Sequence, residues 1–159
     1  NYLEGAKGTL FRQTQFAEFE AMIHDKVSKG EALTGEDFDK MYLALTRKYY
    51  GHDKNVCIVD DNVKSEWSYI PHFYYNFYVY QYATSFTAST ALSEKVLKGT
   101  DLDRKRYLDF LASGSTKYPV ELLVDAGVDM NTSEPFDLTI AKINEVMTEM
   151  EAILTRMGK

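Results

Sequence analysis

Cysteine, histidine and proline are scarce in this chain of 159 residues, which has one, three and three of them. A lone Cys57 excludes an intrachain disulfide framework and any thiolate zinc cage built by this chain alone. His24, His52 and His72 are followed by Asp25, Asp53 and Phe73. None therefore opens the His-Glu-x-x-His helix, in which two imidazoles share one face with a carboxylate beside them. No apolar run approaches the roughly 20 residues that span a bilayer, so no membrane partner is expected. Basic side chains are outnumbered 18 to 24, for a net charge of −6. Without a basic stripe to neutralise phosphates, a nucleic-acid partner is not expected either. The first residues do not read as a secretory leader. The chain opens on Asn1 rather than Met, and the expectation is a piece of a longer polypeptide.

What is present suits a folded helical protein. Hydrophobic residues make up 45% and charged residues 26%, which excludes a disordered chain. Apolar steps of three and four predict a helix from Thr9 to Lys29 ending at Gly30. Thr34, with Glu36 and Asp37 behind it, predicts the start of a helix that Gly51 closes. Residues 52–66 lose the period, and Val56-Cys57-Ile58-Val59 reads as an extended or buried loop, with Cys57 an inert buried thiol. Pro71 fits the first turn of a long helix reaching Gly99. Thr100 caps the next, which stops at Gly114, and Pro119 opens a short one ending at Gly127. Ser133-Glu134-Pro135 starts the last, whose stripe is Ile140, Ile143, Val146, Met147, Met150, Ile153 and Leu154. The reading is all-α, a single helical domain of about six helices over residues 1–159.

Most chemical motifs fail on inspection. The doublets His24-Asp25 and His52-Asp53 suggest a His-Asp metal phosphohydrolase, but the further ligands it needs are missing, and helix-end or surface roles suffice. Ser113-Gly114-Ser115-Thr116-Lys117 lacks the spacing of a phosphate loop and follows a helix, so it reads as a C-terminal turn. Asp60-Asp61-Asn62 reads as a turn rather than a calcium loop.

The dense feature is Trp67 to Tyr82, which holds nine of the chain's 12 Tyr, 9 Phe and 1 Trp. A buried tyrosine must find a partner for its hydroxyl, so an ordinary core helix would use Leu, Ile and Ala instead. Helical steps of four place His72, Asn76 and Tyr80 along one side. His72, just after Pro71, would sit at the positive end of the helix dipole, where a neutral ring is favoured. Such a histidine with tyrosine hydroxyls beside it forms a donor set for an oxyanion. The competing reading is a packing helix whose aromatics fill a core.

The run Ile70-Pro71-His72-Phe73-Tyr74, continuing through Phe77-Tyr78-Val79-Tyr80-Gln81-Tyr82-Ala83-Thr84, resembles the C-terminal region of the oligoendopeptidase F family, within the thimet-oligopeptidase-like zinc metallopeptidases. Three further stretches agree in order: Thr9-Leu10-Phe11-Arg12-Gln13-Thr14-Gln15-Phe16-Ala17-Glu18-Phe19-Glu20, Phe110-Leu111-Ala112-Ser113-Gly114-Ser115 leading to Tyr118-Pro119, and Ala126-Gly127-Val128-Asp129-Met130. The resemblance covers nearly the whole chain. It implies a helical peptidase with a deep channel that cuts short peptides. It also implies zinc in the intact enzyme, held upstream of Asn1 and not by this chain, which is expected to be inactive alone. By motif it gives His72 and Tyr80 the catalytic role of stabilising the tetrahedral intermediate. Tyr74, Tyr75 and Tyr78 are the substrate-binding neighbours. The implied partners are peptide substrates and the missing N-terminal part of the polypeptide, with oligomers compatible. The resemblance and the lone cysteine imply a cytoplasmic location. The alternative is a stand-alone helical interaction module with no catalysis, whose aromatic helix binds a partner helix or peptide.

Overall fold

The computed structural model describes residues 1–158. The chain runs through α1 (Tyr2–Gly5), a π-helical stretch (Ala6–Phe11), α2 (Arg12–Ser28) and α3 (Gly35–Tyr50). The 3-10 segments His52–Lys54, Asp61–Tyr69 and Pro71–Tyr75 follow. Then come α4 (Tyr80–Lys98), α5 (Asp101–Ser113), α6 (Pro119–Asp125) and α7 (Glu134–Arg156), with no strand among the described residues. Contacts divide the chain into two compact units, one of Lys7–Ala83 and one of Asn1–Ala6 with Thr84 onward.

Local chemistry sets several helix ends. Thr34 and Asp37 form a reciprocal box at the start of α3: the Thr34 N–H donates to the Asp37 carboxylate at 2.9 Å, and the Asp37 N–H donates to the Thr34 hydroxyl at 3.3 Å. Thr100 and Asp103 repeat the arrangement at α5. Each box satisfies two backbone donors that a bare helix end leaves free.

In the Lys7–Ala83 unit the core is Phe16, Phe19, Tyr42, Leu45, Ile70 and Val79. Phe19 meets Tyr42 at 5.2 Å and Phe73 at 5.4 Å between ring centroids, both edge to face. Pairs of this geometry add about 0.5–1.5 kcal/mol beyond their buried area. A polar frame borders the rings. Arg12 forms an ion pair with Glu66, the Tyr42 hydroxyl donates to the other Glu66 oxygen at 2.5 Å, and Gln15 donates to Thr46 at 2.8 Å. In the other unit, Ala88, Ala91, Leu92, Ala126 and Val128 are buried, with Tyr107, Phe110, Leu123, Met130 and Leu138 packed against them.

Four expectations are corrected. The predicted first helix begins earlier and through a π-helical stretch, a winding that apolar periodicity does not report. The loop Val56–Val59 buries only Val59; Val56 and Ile58 are exposed, and so is Cys57. The Ser133-started helix forms as predicted, but of its apolar stripe Ile143 is buried while Ile140, Met147, Met150, Ile153 and Leu154 remain exposed. Most consequentially, there is no helix from Pro71 to Gly99. Pro71 does start a turn, but it is a five-residue 3-10 segment. The chain then bends at Asn76 and Phe77, both at positive φ (38° and 54°), before α4 begins at Tyr80.

Candidate functional site

The segment 70–82 is fastened by its apolar residues and displays its polar aromatic ones. Ile70 and Val79 are buried in the core, and Phe73 packs against Phe16 and Phe19. With those three side chains turned inward, Tyr74, Tyr75 and Tyr78 are left facing outward, and all are exposed. Rings of that size held outward by a core-anchored backbone form a surface suited to contacting something else.

The bend brings His72 into an aromatic cluster. Its ring stacks on Tyr78 at 5.5 Å and meets Tyr75 and Tyr82 edge to face at 6.4 and 5.8 Å. His72 Nε2 and the Tyr82 hydroxyl share a hydrogen bond at 3.2 Å, whose direction follows the tautomer of the ring. Tyr78 also meets Tyr75 at 6.1 Å and Tyr82 at 5.6 Å. Hydrogen bonding with Tyr78 raises the Tyr82 phenol above its ordinary range, with partial desolvation acting the same way. Tyr82 therefore stays protonated through neutral pH and remains a donor.

The sequence-predicted residues divide accordingly. His72, Tyr75 and Tyr78 come together. Tyr74 turns away: its hydroxyl donates to the Ser68 carbonyl at 3.2 Å and braces the 3-10 segment. Tyr80 is half exposed on the first turn of α4. His72, Asn76 and Tyr80 do not share one helical side, and His72 does not sit at the N-terminus of a long helix, because that helix is broken at the bend.

Two residues escaped the sequence reading. Tyr82 lies ten positions from His72, a separation with no meaning in a continuous helix. Glu20 is 1% exposed, and its Oε1 accepts a hydrogen bond from the Phe77 N–H at 2.7 Å. A signal for Glu20 was available: it shares the 16, 19, 20, 23 face of α2 with Phe16, Phe19 and Ile23, so an acid stands on an apolar stripe.

The other histidines lie outside the His72 cluster. His52 Nδ1 accepts from the Val59 N–H at 3.0 Å, and the His24 ring lies 4.5 Å from Phe77. Among the described residues, no three or more His, Cys, Asp or Glu side chains are grouped so as to hold a metal ion. Among them, no helix is long and apolar enough to cross a membrane.

The model of peptidase family M3 matches residues 2–142. The chain is 47% identical over 155 residues to oligopeptidase PepF of Bacillus subtilis, covering 98% of this chain and 23% of that protein. It is 42% identical to the group B oligopeptidase PepB of Streptococcus agalactiae, covering 98% of this chain and 26% of the relative. The crystal structure of oligoendopeptidase-F from Enterococcus faecium superposes with a TM-score of 0.92 at 43% identity, over 98% of this chain and 29% of that one. The chain thus spans about a quarter of the length of the relatives it matches. With a family model covering most of its length, the chain belongs to peptidase family M3.

Proposed function

We propose that this chain is the C-terminal part of a cytoplasmic zinc oligoendopeptidase that hydrolyses short peptides, and that its segment 70–82 forms the wall of the channel facing the reacting carbonyl. Relatives with oligopeptidase names along 98% of the chain support the reaction class. The observation that carries the site is the cluster of half-buried His72 and Tyr82 with exposed Tyr75 and Tyr78, on a backbone pinned by Ile70, Phe73 and Val79. The zinc is assigned to the rest of the parent polypeptide, as the resemblance implies; among the described residues no three or more His, Cys, Asp or Glu side chains are grouped so as to hold one.

In this reading Tyr80 donates its hydroxyl hydrogen to the oxygen of the scissile carbonyl as negative charge develops there. His72 assists, its ring held by Tyr82 and stacked on Tyr78. Tyr75 and Tyr78 offer ring faces to peptide side chains. Tyr74, with its hydroxyl committed to Ser68, contributes only its ring and keeps its segment in place. A donor that acts on charge present only in the transition state raises kcat without tightening ground-state binding.

The test is Tyr80→Phe in the full-length peptidase. Loss of one oxyanion donor lowers kcat on the order of 100- to 1000-fold, with KM changed by less than about threefold. A kcat near wild type would remove Tyr80 from the mechanism.

A further inference from the structure

We infer that Glu20 is a positioning residue: its buried carboxylate holds the bend at Asn76–Phe77 and so sets His72 and the tyrosines of α4 in their working arrangement. The inference rests on the channel-wall reading above.

The composition of residues 71–82 suits an unbroken helix starting at Pro71. In such a helix, ten residues separate His72 from Tyr82 by about 15 Å along the axis, and no hydrogen bond joins them. The structure has them 3.2 Å apart. The difference is made at Asn76 and Phe77, whose φ values of 38° and 54° lie in the region that side chains other than glycine rarely occupy. Asn76, at φ 38° and ψ 102°, lies outside even the left-handed helical region that asparagine tolerates, and positive φ is a genuine outlier for a residue as bulky as Phe77. A conformation of that kind persists when its surroundings over-determine it.

Two residues one turn apart on α2 supply the restraint. The Glu20 carboxylate accepts from the Phe77 N–H at 2.7 Å, in a site that leaves Glu20 only 1% exposed. In such water-poor surroundings a hydrogen bond to a carboxyl oxygen is electrostatically stronger than the same bond in water. His24 then covers the Phe77 ring at a centroid distance of 4.5 Å. The backbone amide and the partly exposed ring of Phe77 therefore both contact α2. The segment on one side of the bend carries His72, Tyr74 and Tyr75; the segment on the other carries Tyr78, Tyr80 and Tyr82.

The experiment uses the full-length peptidase with Glu20→Ala, Glu20→Gln and Tyr80→Phe, singly and combined. Glu20→Ala is expected to lower kcat about 10- to 100-fold with KM changed less than about threefold. In the Tyr80→Phe background the same change is expected to lower kcat by clearly less than in the wild type, because the principal donor it positions is already gone and only the assisting His72 is left to be displaced. Glu20→Gln keeps a carbonyl oxygen in reach of the Phe77 N–H and is expected to recover most of the loss, which also decides the matter if Glu20→Ala folds poorly. Equal losses from Glu20→Ala in both backgrounds would overturn the positioning role and leave only a general effect on folding. Wild-type kcat for Tyr80→Phe alone would instead sink the channel-wall reading. Hydrogen exchange over residues 74–82 then judges the bend separately: faster exchange in Glu20→Ala supports it, and unchanged exchange overturns it.

Discussion

Tyr49 carries a readable consequence of burial on a single phenol. Its hydroxyl donates to Glu18 at 2.8 Å. Desolvation first, and that hydrogen bond second, push its pKa from 10.0 up to about 12. The raised value means that the folded chain holds the phenolic proton after the unfolded chain has released it. This contribution to stability is complete below pH 10 and is lost as pH rises from about 10 to about 12. Absorbance at 295 nm should show a tyrosine ionising near the top of that range, and Tyr49→Phe should remove it. A full-amplitude transition near pH 10 with no late component would contradict the assignment. Tyr42 is also pushed upward, by burial foremost and by its hydrogen bond to Glu66. Glu66 joins Tyr42 to Arg12, so Glu66→Ala leaves a fully buried phenol and a half-buried guanidinium without their acceptor. Removing one partner of such a set destabilises by about 1–3 kcal/mol, measurable by urea denaturation. A change below about 0.5 kcal/mol, the range of ordinary surface substitutions, would show that water replaces the carboxylate.

At the scale of elements, the ends of α3 and α5 were legible because their causes lie within four residues. Thr34 with Asp37 and Thr100 with Asp103 are complete statements in the sequence. Gly51, which closes α3 at φ 67°, was legible for the same reason. Added bulk there would meet Val56 Cβ at 3.1 Å, so Gly51→Ala combines a left-handed backbone with a close contact. It should lower stability by at least about 1 kcal/mol, with no change in the helix content of the folded state. Neutral behaviour in a thermal melt would mean that the turn relaxes freely. The bend at 76–77 was not legible for the opposite reason. Its cause, Glu20, lies 57 positions away, and nothing between Pro71 and Tyr82 announces it. The site was therefore half readable. The aromatic run marked where the proposed site lies and brought His72, Tyr75 and Tyr78 into view. The partner that orients His72 could be identified only once the broken helix had folded Tyr82 back to it.

For the whole molecule, the question is how much of a peptidase a quarter-length match contains. Family M3 matches residues 2–142, and the relatives continue well beyond what this chain covers. A zinc site needs three or four His, Cys, Asp or Glu ligands converging within about 2.0–2.3 Å of one point. The three histidines here have separate engagements: His52 with Val59, His24 with Phe77 and His72 with Tyr82. Cys57 is exposed on the loop after the short 3-10 segment. Moving any of the three histidines into a shared site would give up the contact it makes here, and for His72 would dismantle the aromatic cluster itself. The 159-residue chain, purified and dialysed against micromolar zinc, should therefore retain well under one equivalent by metal analysis and leave short peptides intact. Tyr80→Phe and Glu20→Ala should be without consequence for that result, since neither residue is a zinc ligand in the proposed reading. One tightly held zinc per chain, or peptide cleavage abolished by a chelator, would show that the catalytic apparatus lies within these residues and would overturn the division of labour proposed above.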